Sequence, residues 1–334
     1  MNKGPVRSAL VGTLIAAAAF SLLIARLDPL LEAVPKLPDR GPSWYYWQSD
    51  PALRTAWTRA TPWIGYALHQ AALWVVVVLM MKEKPHPGRL SRLNLAALGV
   101  NTLFILLHIL QTHLWYDGIA QDVPVWSSQF SVIIMLVIML YQAAPARGLI
   151  LGRKIAWNRE ALGLSRRWHG LYISWALVYT FWFHPTEGDF GILMGFLYMF
   201  LLLAQASLAN TELHLSLPWI ALLELLVGLH GPAIAIQKAL SGNEGDVAGP
   251  GIWIMFASGF LFMFAFTGQY SFKLPRWARA AIVAAYAGMA IGLYAWRGFD
   301  RIYEALFIPV ALYGGALALA ALMRLTSSIK VRRG

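Results

Sequence analysis

Long apolar runs alternate with short polar segments along this chain, and the runs set its organisation. Ten of them fall at about residues 8–25, 61–81, 94–115, 127–144, 169–184, 190–209, 216–236, 251–270, 279–296 and 305–323. Several approach the ~20 residues that a helix needs to cross a ~30 Å hydrocarbon layer. None alternates as a barrel strand would, and in lipid only helices or closed barrels satisfy every backbone group. The pattern predicts an all-α fold: a polytopic transmembrane helical bundle of about ten helices, forming one membrane domain over residues 1–334. The longest connections, 26–58 and 145–168, are too short for a soluble domain. The first run follows Lys3 and Arg7, is long for a signal peptide and lacks a small-x-small cleavage site. It reads as a retained helix.

Charge then fixes an expected orientation. With the N-terminus in the cytoplasm and alternating sides, 19 of the 27 Lys and Arg residues fall inside, and 12 of the 16 acidic residues fall outside. This is the positive-inside bias, with both termini in the cytoplasm. The net charge of +11 is therefore a topology signal and calls for no nucleic-acid partner. The expected location is a bacterial plasma (inner) membrane. Trp44, Tyr45, Tyr46 and Trp47 in the first external loop suit an interfacial aromatic belt and a short segment lying on the membrane. With no cysteine in the chain, disulfides, thiolate metal sites, iron–sulfur clusters and c-type haem attachment are excluded.

Histidine placement is the feature that points to chemistry. In this topology His69, His108, His113, His184 and His230 share one depth, in the outer half of four helices. Asp117, Asp122, Glu187 and Asp189 follow close by in the external loops. Ionisable groups inside a membrane protein are costly and face its interior. Their common depth predicts a shared polar pocket. At 100° per residue, Asn101, His108, Gln111, Thr112 and Trp115 lie on one face of the third helix, which must therefore meet protein or water. His113 is rotated away from His108, so the two cannot chelate one ion from a regular helix. The seventh helix carries Glu224 in mid-membrane, then His230, with Gly228 and Gly231 allowing close helix approach. Trp168, Tyr172, Trp175, Tyr179 and Trp182 form a stripe on the fifth helix, read as helix packing with a cofactor wall as the alternative.

Three chemistries compete. Imidazoles and carboxylates suit a divalent metal such as iron, copper or zinc, with His69, His108, His113, His184 and His230 as ligands. Asp117, Glu224 and His230 would then be the acid–base groups, Glu224 as a protonated donor. Histidine pairs on one helix, His169 with His184 and His214 with His230, raise haem b. The members of each pair stand about 22–24 Å apart by the 1.5 Å rise. The second pair, however, points in nearly opposite directions. An intramembrane Glu with a string of histidines also suits proton relay. There is no His-Glu-x-x-His, no nucleophile elbow and no Walker loop. The leading expectation is a metal-dependent membrane oxidoreductase acting on a lipid-soluble substrate, such as a quinone, near the outer leaflet. A small-solute or proton-coupled transporter is the alternative, and a haem-bearing or structural subunit with a membrane-complex partner comes third.

Overall fold

The computed structural model describes residues 4–35, 49–240 and 251–331. The aromatic quartet Trp44–Trp47 lies outside the described residues. Ten α-helices succeed one another among the described residues, with no β-strand. They are α1 (Gly4–Leu27), α2 (Ala56–Met80), α3 (Arg92–Trp115), α4 (Val125–Arg147), α5 (Arg159–Phe183), α6 (Phe190–Ser207), α7 (Leu217–Leu240), α8 (Ile252–Phe266), α9 (Arg276–Arg297) and α10 (Phe307–Val331). Eight spans are long and apolar enough to cross a membrane; α5 and α7 are the exceptions. In α5 the frequent Trp, Tyr and His lower the hydropathy of a helix that is nonetheless 25 residues long. This is an integral membrane protein built from helices.

Several helices extend beyond the apolar runs, because capping residues rather than hydropathy decide where a helix begins. Thr55 opens α2 through a reciprocal box with Thr58, so the helix starts five residues before the apolar run. Ser91 and Asn94 make the equivalent box at α3. Asn158 accepts a hydrogen bond from the Ala161 amide at the head of α5, ten residues before the apolar run. Asp189 caps α6 through the Ile192 amide at 2.9 Å.

The sequence reading treats the chain as one membrane domain; by contacts it divides into two compact units. The first comprises Met1–Val132, Gly170–Leu215 and Gln237–Gly249, and the second Ile133–His169, Ser216–Ile236 and Pro250–Gly334. In the first, α2 packs on α3, α1 on α6 and α3 on α6. In the second, α8 packs against α9, α10 and the 3-10 turn Phe299–Leu306.

The α5 aromatic stripe is a packing seam. Trp175 and Tyr179 stack at 5.4 Å, Tyr179 meets Tyr66 edge-on, and the Trp175 indole donates to the Tyr66 hydroxyl at 3.0 Å. Trp182 is buried against α2 at Gly65, where a Cβ would lie 2.2 Å from the indole ring. Glycine there is a steric requirement, and Gly65→Ala should cost about 1–3 kcal/mol through overpacking. Thermal unfolding in detergent should show the loss. The double variant Gly65→Ala/Trp182→Phe should recover part of it, because the smaller ring vacates that space. Additive losses would show that the two residues do not compete for one volume.

Candidate functional site

At the end of α3 the backbone leaves the helix through Tyr116 (φ 57°, ψ −170°) and Asp117 (φ 60°). Two successive non-glycine residues in left-handed territory store strain, of the kind that clusters at functional sites. The turn is held from within the bundle. Gln111 donates through Nε2 to the Tyr116 carbonyl at 2.9 Å and the Asp117 carbonyl at 3.1 Å. The Tyr116 hydroxyl donates to Glu187, and both residues are buried. Asp117 is only 1% exposed; its Oδ2 accepts from Ser49 Oγ at 2.5 Å and lies 3.7 Å from Arg54 Nε. Its Oδ1 makes no hydrogen bond among the described residues. Burial pushes the Asp117 carboxyl above its ordinary pKa, against the opposing pull of the Ser49 hydrogen bond and the Arg54 charge. Asp122 pairs with Arg59 at 2.5 Å and accepts from the Trp63 indole at 2.8 Å.

The polar face expected on α3 is present: Asn101, His108, Gln111 and Thr112 are all buried. Trp115 lies at its margin, partly exposed and stacked on Trp57. His69 and His108 face protein with both ring nitrogens engaged. His69 Nδ1 accepts from the Trp182 indole at 3.2 Å, and its Nε2 donates to Asn101 Oδ1 at 2.9 Å. Asn101 in turn donates to Ser207 Oγ at 2.8 Å. His108 spans Gln111 Oε1 at 3.1 Å and the His184 carbonyl at 2.7 Å, among the rings of Phe181, Trp182 and Phe196. His113 returns Nδ1 to the Ile109 carbonyl of its own helix, and His184, just past α5, returns Nδ1 to the Thr180 carbonyl. A metal takes a ring nitrogen lone pair, and at His69 and His108 none is left pointing into open space. Among the described residues no three His, Asp or Glu side chains are arranged to hold one ion. Shared depth has not become convergence. The haem candidates His169 and His214 direct Nδ1 to backbone carbonyls, of Arg166 and Gln205, an arrangement that ligating and packing histidines share.

Glu224 and His230 belong to the second unit, on α7. Glu224 is no lone carboxyl. Arg147, the last residue of α4, donates through Nη1 and Nη2 to its two oxygens, both at 2.6 Å. The Arg147 side chain is 1% exposed and that of Glu224 22%. A second bond runs from Nη1 to Ser271 Oγ at 3.2 Å, while Nε is buried without a partner among the described residues. Beside the pair lies a cavity of about 40 Å³. Leu136 and Leu140 of α4, Leu225 and Val227 of α7, Phe260, Met263 and Phe264 of α8, and Leu312 of α10 form its apolar walls. Gly228 of α7 leaves room for Phe260 of α8, since a Cβ there would sit 3.0 Å from the Phe260 side chain.

Arg147 is the residue that sequence reasoning missed. The available signal was Glu224 itself, since a carboxylate among spanning helices demands a cation, and arginines at helix ends are the nearest supply. Comparison with protein-family models, curated proteins and solved structures returned no match to this chain.

The Asp117 environment gives a prediction whose sign follows from its raised pKa. The folded state holds the proton more tightly than the unfolded state. Stability is therefore full below the ordinary carboxylate pKa and is lost as pH rises through the folded value. Asp117→Asn carries no such charge. It should melt above the wild type at pH 7–8, with the gap closing on acidification toward pH 4. Tryptophan-fluorescence melts across that range provide the check, and a gap that widens in acid would reverse the assignment.

Proposed function

We propose that this protein is a proton-coupled transporter of a small solute, with the Arg147–Glu224 pair at the substrate site. The supporting observation is that pair itself: two opposite charges inside a helical membrane bundle, facing a small cavity with apolar walls. Ionisable residues in such positions mark ion and substrate pathways, because nothing about lipid solvation favours keeping them there. A carboxylate held by one guanidinium is also a group that can trade its partner for a proton. The metal-dependent oxidoreductase expected from histidine depth has no comparable support, because among the described residues no three His, Asp or Glu side chains are grouped to hold one ion.

The reading includes the ten-span topology with both termini in the cytoplasm, for which the basic bias is the argument. Reporter fusions at Pro87 and Arg159 should read cytoplasmic, and fusions at Asp122 and Gly188 external. A cytoplasmic signal at Asp122 would mean that the helix count before it is wrong.

For the transport step, purified protein in liposomes loaded with a pH-sensitive dye should acidify or alkalinise the lumen when a transported solute is supplied on one side. Glu224→Gln removes the proton acceptor with almost no change in volume. It should reduce solute-driven proton movement to the level of empty liposomes while the protein still reconstitutes. Wild-type liposomes that pass no protons with any of a broad panel of organic acids, amines, sugars and amino acids would falsify the proposal.

A further inference from the structure

The cavity beside Arg147 has one polar end and otherwise apolar walls, which describes the ligand it fits. A water needs about 10–15 Å³ measured this way, so about 40 Å³ admits only a few non-hydrogen atoms. The polar end is a guanidinium with both terminal nitrogens aimed at a carboxylate, the group that its planar fork fits best. The remainder is mostly Leu, Val, Phe and Met, which match a short hydrocarbon chain; Thr267 and Gly268 complete the lining, and the Thr267 hydroxyl is already bonded to the Leu149 carbonyl and the Tyr313 hydroxyl.

The charges restrict the ligand further. Arg147 and Glu224 neutralise each other, so an anion arriving alone would leave an unbalanced negative charge in a low-dielectric site. A weak acid solves this by bringing its own proton. We propose that the site binds a short-chain monocarboxylic acid together with one proton, an inference about ligand class that rests on the transporter reading of the same site. The acid O–H bond breaks and an O–H bond forms on Glu224. The carboxylate released then takes the two-toothed place on Arg147 that Glu224 vacates. No net charge enters. Among the described residues the charged and titratable groups facing Glu224 are Arg147 from α4 and Tyr313 from α10, whose hydroxyl is bonded to Thr267 Oγ1 at 2.7 Å. The α8 residues lining the cavity are uncharged, and Ser271 contributes only a hydroxyl.

The test is titration calorimetry of the full chain in lipid nanodiscs with sodium propionate, at pH 7, in two buffers of different ionisation enthalpy. Propionate is ionised at that pH, so binding should draw about one proton from the buffer per carboxylate bound. Affinity for total propionate should fall about tenfold per pH unit between pH 6 and 8, by the same linkage. Acetate, propionate and butyrate should bind, and octanoate should not. Glu224→Gln should bind propionate with no proton uptake and no pH slope. Should that variant fail to fold, the wild-type proton count decides alone. Binding without proton uptake, equal competition by sodium chloride, or no binding by any of these acids overturns the proposal. Proton flux driven by other solutes in the absence of carboxylate binding would overturn this inference and leave the transporter reading standing. Proton-linked carboxylate binding without flux in liposomes would do the reverse.

Discussion

A charge carried into a membrane-spanning bundle must bring its counter-charge with it, and the second unit of this protein is arranged around that constraint. Arg147 ends α4 and Glu224 sits on α7, yet two bonds of 2.6 Å join them. Removing one member of such a pair typically costs about 3–5 kcal/mol, mostly as the penalty of the charge left behind. The elements around the pair are consistent with that demand. Gly228 of α7 leaves room for Phe260 of α8, Ser271 supplies a third acceptor for the guanidinium, and Thr267 ties Tyr313 to the Leu149 carbonyl. The low dielectric that makes the pair costly to break also makes it sensitive to any ligand that can replace one half of it.

The first unit answers the same constraint with neutral groups. His69 leans on Asn101, which leans on Ser207. Asn94 closes the other end of the α3–α6 contact by donating to the Ser207 and Ala209 carbonyls at 2.8 and 2.9 Å. His86 adds a bond to Asn94 Oδ1 at 2.9 Å. Each amide points one way only, because its nitrogen is already held by carbonyl or hydroxyl oxygens. Such a lattice fixes helix rotation and leaves little room for exchange. Its one tense feature is the Tyr116–Asp117 turn, where a left-handed backbone and two buried carboxylates, Asp117 and Glu187, occur together.

The helices were legible in the sequence because hydropathy is a one-dimensional signal and lipid imposes it strictly. The polar face of α3 was legible for a similar reason: on a regular helix, spacing alone places Asn101, His108, Gln111 and Thr112 together. What the sequence could not carry was the partner of each group. Arg147 and Glu224 are 77 residues apart, and nothing in either segment names the other. Common depth carries no partner either. His69 and His108 share the rings of Phe181 and Trp182, an arrangement set by rotation about the helix axis and by packing, such as Trp182 fitting over Gly65. The strain at Tyr116 was invisible too, since an aromatic residue is among the last expected where glycine is favoured.

The two units therefore differ in what a proton does to them. In the α3 lattice the oxygens around His69 and His108 are backbone carbonyls and amide oxygens, so a proton taken up there breaks no ion pair, and the carboxyl with a shifted pKa is Asp117 at the turn. At Arg147 the only acceptor filling two of its donors is a carboxylate, so one proton on Glu224 weakens both bonds at once and leaves a guanidinium needing a new anion. The exchange proposed above would use this difference: the apolar walls keep the Arg147–Glu224 pair in surroundings where each charge depends on the other, and a ligand that replaces one half must satisfy the half it leaves.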